Sequence, residues 1–274
     1  MGLVKLVGVP FSVGCRVETS TAIDQQNAPL AIRAALRTLT ANFDIPHSFE
    51  DLGDLSSKNT VNDVLKAVED QVFDLVNKGD VPLILGGAHT LSLGTLRALS
   101  RVRPGFSMIY IDAHPDVMPH STINYGSVMF YAFKEEVVRP DRVAMIGLRQ
   151  VENPEYRVLR ENNIFHIHAH EVEGIGIANV VKEIKDRFPA PYFISLDLDS
   201  IDPTFAPGVT SPYPCGLTPR EVIYLVEELC RQSVIGLEVV ELSPINDRND
   251  DTAMIAASII LRVCNVLASR QRTH

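Results

Sequence analysis

The chain has 274 residues, 46% of them hydrophobic, and a formal charge of −9. That length and composition suit one sizeable core, and an acidic chain without Lys/Arg clusters interleaved with aromatics argues against nucleic acid or an anionic membrane as partner. Four scattered cysteines (Cys15, Cys215, Cys230, Cys264) lack C-x-x-C spacing, which argues against a disulfide framework or a cysteine zinc site and places the chain in a reducing cytoplasm.

In chain order, short apolar, β-branched runs predict strands at 3–9, 47–52, 81–85, 106–112, 142–148, 163–168, 191–199 and 234–242. Between them, helical periodicity covers 29–39, 61–79, 90–100, 155–162, 177–188 and 218–232, and 251–270 reads as a largely buried last helix. The opening MGLVKLVGVPF has too short an apolar run for a signal peptide and reads as the first strand. No run approaches the roughly 18 apolar residues of a membrane helix. Strand–helix alternation with apolar strands predicts a three-layer α/β/α domain around a mostly parallel sheet of about eight strands. No linker or repeat divides it, so one domain over 1–274 is expected. In such sheets the ligand crevice lies at the carboxyl ends of the strands.

Polar residues gather where the apolar runs stop. His89 follows a strand and a Gly-Gly turn, and Asp112, His114 and Asp116 leave the next strand at alternate positions. Asp197 and Asp199 are two apart, hence on one face of a core strand, and Glu241 ends the last strand. Alone, His89 reads as a helix cap and either aspartate as a loop or capping carboxylate. Together they read as a metal site, because buried like charges need a cation. Carboxylate oxygens and imidazole nitrogens without thiolate suit Mn²⁺, with Zn²⁺, Fe²⁺, Co²⁺ or Ni²⁺ as alternatives. Four aspartates and two histidines exceed the needs of one ion and suit two.

The motifs GGAHT, DAHPD and SLDLDSIDPTFAPGVTSPYPCGLTPRE followed by ELSP resemble the ureohydrolases, which include arginases, agmatinases and formimidoylglutamases. GVPFSVG and IGLRQVENPEYRVL look particularly arginase-like. The resemblance implies two Mn²⁺ ions held by His89, Asp112, His114, Asp116, Asp197 and Asp199, and a bridging hydroxide that attacks a guanidinium carbon to release urea and an amine. Glu241 resembles the glutamate that pairs with the guanidinium, and Asp116 would protonate the leaving nitrogen. By resemblance a homo-oligomer, trimer or hexamer, is expected.

The chain also departs from that pattern. Ala88 stands where arginases carry an Asp before the histidine, and Val117-Met118 replaces the Asn that anchors the substrate α-carboxylate. The family's active-site histidine becomes Tyr125, with His120 nearby as a substitute proton shuttle or a loop histidine. Glu152 keeps the carboxylate that meets the substrate amine, and Ser211 and Tyr213 remodel the rim. These changes predict an amidinohydrolase for an arginine-like substrate whose α-carboxyl is absent or blocked: agmatine, a guanidino acid or amine, or an arginine side chain in a peptide. The alternatives are a formimidoylglutamase releasing formamide and a metal-binding pseudoenzyme that acts as an assembly partner.

Overall fold

The computed structural model describes residues 3–12, 24–42, 48–56 and 60–271. Eight strands form one sheet: β1 (Val4–Val9), β2 (Glu50–Asp54), β3 (Val81–Gly86), β4 (Ser107–Ile111), β5 (Val143–Leu148), β6 (Phe165–His168), β7 (Tyr192–Asp197) and β8 (Val234–Val240). Their spatial order is β2-β1-β3-β8-β7-β4-β5-β6, and every neighbouring pair runs parallel. The expected sheet is therefore present, and wholly parallel.

Alternation along the strands splits the core into two layers. Leu6, Leu83, Ile109 and Ile194 point to one face, which is covered by α1 (Ala28–Asn42), α6 (Ala169–Ile175), α7 (Ile177–Arg187), α8 (Pro219–Cys230) and α9 (Asp251–Gln271). Val7, Ile84, Tyr110 and Phe193 point to the other, covered by α2 (Val61–Asn77), α3 (Ser92–Val102), α4 (Val128–Lys134) and α5 (Asn153–Glu161). Burying each Leu or Ile on these faces contributes about 1.5–3 kcal/mol against the chain entropy. Thr60 accepts from the Asp63 N–H at 3.2 Å to cap α2, and Thr218 and Glu221 form a capping box before α8.

Three local expectations shift. The second strand begins at Glu50 rather than 47, and His47 lies outside the described residues, as do Val13, Gly14 and Cys15. This edge strand is largely exposed; pairing with β1 and the Lys5–Glu50 and Arg33–Asp51 ion pairs hold it, so apolar periodicity carried little information. Helices α4 and α6, seven residues each, were too short to show a period. Finally, α9 is long and apolar enough by composition to match a membrane span, against the expectation of no such run. It is instead a core helix, with 67% of the apolar window buried and Ala256, Ile260 and Val263 packed into the first layer.

The chain leaves β3 for β4 by passing over two positions that β8 and β7 later fill. The adjacent strands β3, β8, β7 and β4 thus bring their carboxyl ends together, at the kind of switch point where such sheets hold ligands.

Candidate metal centre

The turn after β3 is stapled on both sides. Gly87 N donates to Val9 O at 3.2 Å, Ala88 N to Phe11 O at 2.8 Å, and Glu241 N to Gly87 O at 3.0 Å. A Cβ on Gly87 would sit 1.9 Å from the Phe11 carbonyl oxygen, so glycine is required by close backbone approach. His89 emerges from this turn fully buried.

Around His89 Nδ1 lie Asp112 Oδ2 at 3.0 Å, Asp197 Oδ2 at 3.0 Å and Asp116 Oδ2 at 3.6 Å. Around His114 Nδ1 lie Asp199 Oδ2 at 3.1 Å and Asp112 Oδ1 at 3.4 Å. All six expected ligands therefore converge, in two sets that share Asp112. Each imidazole is oriented from behind. His89 Nε2 lies 2.9 Å from Ser195 Oγ, whose hydroxyl donates to Glu238 Oε1 at 2.7 Å. His114 Nε2 lies 2.6 Å from Gln150 Oε1. With both Nε2 atoms as donors, both Nδ1 atoms present lone pairs to carboxylates, the tautomer a metal ligand needs.

These donors fit cations. Asp112 Oδ2 is buried without a hydrogen-bond partner while facing the His89 Nδ1 lone pair. With Nδ1 unprotonated, two lone-pair atoms face each other at 3.0 Å, an arrangement that a proton or a bound cation between them relieves. The titration behaviour agrees. Burial raises Asp116 well above the carboxylate range, with the Asp112 charge adding to it, and burial with the Asp199 and Asp112 charges does the same to Asp197. Burial alone would lower His89 and His114, but hydrogen bonds and charges from the surrounding aspartates raise both well above the usual imidazole value. Without metal, protons take up the charge that cations would otherwise balance.

Ala88 is fully buried and brings no carboxylate; the buried acid behind His89 is Glu238, reached through Ser195. Two site residues sit in the left-handed backbone region, Asp116 at φ 51° and Glu241 at φ 69°. The Asp116 carbonyl accepts the Met129 and Phe130 N–H groups at the start of α4. The Glu241 carboxylate accepts from His89 N at 2.5 Å, from Thr210 Oγ1 at 3.1 Å and from Gln25 Nε2. Burial, opposed by the His89 N–H, leaves its pKa raised to about 7.

A cleft of about 560 Å³ opens over the centre, lined by His114, Asp116, Met118, Tyr125, Glu152 and Ser211 among others. Those six were singled out from sequence. Glu155, Gln150 and Arg149, which also line it, were not. His120 is placed elsewhere: it is exposed, its Nδ1 engages Thr122 N at 3.1 Å, and it does not line the cleft. Burial pushes the Glu155 carboxyl to about 7. Arg149 turns inward, with Nε donating to Tyr213 O at 3.0 Å, Nη1 to Ser200 O at 3.2 Å and Nη2 to Tyr213 O at 2.8 Å.

The sequence profile of the Arginase family matches residues 3–265. The chain belongs to the arginase family. It is 28% identical to the arginase of Bacillus caldovelox, over 94% of this chain and 96% of the relative. It is also 28% identical to the guanidinobutyrase of Pseudomonas aeruginosa, over 95% of this chain and 85% of the relative. The solved structure of agmatine ureohydrolase from Thermoplasma volcanium superposes with a TM-score of 0.88 at 27% identity, covering 100% of this chain and 92% of that one. These three relatives carry three different substrate names at near-equal identity, so membership fixes a hydrolase of this family and leaves the substrate to the cleft.

Tyr110, Ser195 and Glu238 escaped the reading of the sequence, yet period two marks the first two. Tyr110 shares a face with Asp112, and Ser195 with Asp197, each two residues before an expected ligand. Glu238 was detectable as a carboxylate inside an apolar strand. Gln25, Thr210, Gln150 and Glu155 carried no such signal.

Proposed function

We propose that this arginase-family hydrolase is a dinuclear-manganese amidinohydrolase acting on a guanidino compound with a second positive charge and no free carboxylate. The observation that carries this reading is the cleft rim. Glu152 and Glu155 supply carboxylates, while the cleft arginine, Arg149, directs its nitrogens to backbone carbonyls. Met118 and Val117 supply no partner for an α-carboxylate. Agmatine fits this polarity best, ahead of L-arginine, a guanidino acid or an arginine side chain in a peptide.

His89, Asp116, Asp197 and the shared Asp112 would hold one ion, and His114, Asp199 and Asp112 the other. Bound divalent ions supply Lewis acidity and make hydroxide available from water near neutral pH. Glu241, fixed by the His89 N–H, Thr210 and Gln25, orients the guanidinium through a bidentate ion pair. Arrival of that cation favours ionised Glu241 and reverses the effect of burial on its pKa. Asp116 lines the cleft and hands a proton to the leaving nitrogen. Glu152 and Glu155 take the distal amine, Ser211 and Met118 bound its path, and Tyr125 fills the position of the family's histidine as a hydrogen-bonding wall. A homo-oligomer, trimer or hexamer, in a reducing cytoplasm completes the proposal.

The test is product-resolved NMR on manganese-loaded protein with agmatine, L-arginine, 4-guanidinobutyrate, an arginine-containing peptide and formimidoylglutamate. Urea chiefly from agmatine is expected. Formamide would replace the reading with formimidoylglutamate hydrolysis. Two bound ions with no turnover of any compound would favour the pseudoenzyme.

A further inference from the structure

Tyr110 ends in the metal centre, although nothing in the ligand motifs includes it. It lies on β4 two residues before Asp112 and is fully buried. Its ring is parallel to the His89 imidazole, with centroids 4.9 Å apart and planes within 9°. Its hydroxyl donates to Asp116 Oδ2 at 2.5 Å and lies 3.3 Å from His89 Nδ1. One side chain thus touches two residues of the His89 set, and among the described residues none of its hydrogen bonds or ring contacts reaches His114 or Asp199.

We propose that Tyr110 is a positioning residue for the His89-side ion. The phenol fixes the Asp116 carboxylate at Oδ2, the oxygen that faces His89 Nδ1, and the stacked ring fixes the plane of the imidazole beside it. The Asp116 backbone, at φ 51°, has its carbonyl pinned by the start of α4, so the phenol supplies the side-chain half of the restraint. Outer contacts of this kind are commonly worth 10–100-fold in metal affinity. Tyr110 therefore makes the two ion positions unequal. The inference concerns the metal centre alone and is independent of which substrate the cleft takes.

The test is calorimetric titration of the metal-free protein with Mn²⁺, for the native chain and for Tyr110→Phe, with the visible spectrum of the Co²⁺-loaded forms as a second readout. Tyr110→Phe keeps the stacked ring and removes only the hydroxyl. The expected result is about tenfold weaker binding at one of the two sites, the other unchanged, together with altered Co²⁺ bands. Because the change leaves Asp116 Oδ2 with one bond fewer in a buried site, Tyr110→His serves if the Phe variant does not fold; it keeps a flat ring on β4 and a polar N–H in a smaller side chain, without the phenolic O–H. Two sites of native affinity and an unchanged Co²⁺ spectrum in a folded variant would overturn the proposal. Equal weakening of both sites would overturn it as well, since that outcome marks Tyr110 as general packing.

Discussion

Ser195→Ala tests whether the line of hydrogen bonds behind His89 is required. Ser195 is fully buried; it receives the His89 Nε2–H at 2.9 Å and donates to Glu238 Oε1 at 2.7 Å. Removing one oxygen therefore strands a donor and an acceptor at once. Each orphaned buried group costs about 1–3 kcal/mol, so the pair amounts to about 2–6 kcal/mol. Two effects reduce that sum. The variant no longer buries a hydroxyl of its own, and Glu238 Oε2 keeps the bond from Thr95 Oγ1 at 3.2 Å. A net loss of about 2–4 kcal/mol in the metal-free protein is expected from equilibrium urea unfolding. Metal affinity should fall about 10–100-fold at the His89 site, because the imidazole loses the bond that fixes its tautomer.

The double variant Ser195→Ala/Glu238→Met separates this account from simple loss of packing. Burial already holds the Glu238 pKa above the carboxylate range. Once Ser195 is gone, the acid is the costlier of the two stranded groups, and an apolar side chain of similar length should recover part of the stability. Urea midpoints for both variants decide it. If the double variant is less stable than the single one by the full cost of Glu238→Met alone, the two residues are not coupled and the reasoning fails.

Three further perturbations test the same geometry. Glu155→Gln should make a pH limb shallower: Glu155 and Glu241 both have a pKa of about 7 against an ordinary 4.5, so the KM of a dicationic substrate should rise as pH falls through 7 in the native enzyme and rise less steeply in the variant, where Glu241 alone of the two titrates. Stability should run the other way. A raised carboxyl pKa favours the folded state at low pH and loses that contribution as pH rises through 7, so Glu155→Gln should gain stability relative to native at pH 8, read by thermal melting. Gly87→Ala, whose Cβ would meet Phe11 O at 1.9 Å, should either prevent soluble expression or displace the His89 turn and abolish metal binding. Stripping both ions with a chelator should lower the melting temperature by about 10–20 °C, since a ligand at 100 times its Kd adds about 2.7 kcal/mol at each of two sites and about 2–4 °C accompanies each kcal/mol in chains of this size.

What the sequence disclosed follows from where the physics is local. Strands β3, β4, β7 and β8 are runs of apolar residues that end abruptly in acids and histidines, and both the parallel sheet and the gathering of those six side chains were legible from that abruptness. The edge strand β2 was misplaced because ladder bonds and ion pairs hold it, not buried apolar residues. Tyr110, Ser195 and Glu238 were overlooked for the opposite reason: inside a strand they pass for core, and only the parity they share with a ligand, or a charge with no place in the core, betrays them. Gln150 and Glu155 line the cleft from the segment that follows β5, and a fold must exist before 36 residues of separation become the 2.6 Å between His114 and Gln150. The same division explains why family membership was readable and the substrate was not. The acid and histidine cluster is imposed by the ends of adjacent strands, whereas the cleft rim is built from loops whose side chains meet only through the packing beneath them. The carboxylates of Glu152 and Glu155, together with an arginine turned to backbone carbonyls, are therefore the features of this chain that bear most directly on what it hydrolyses.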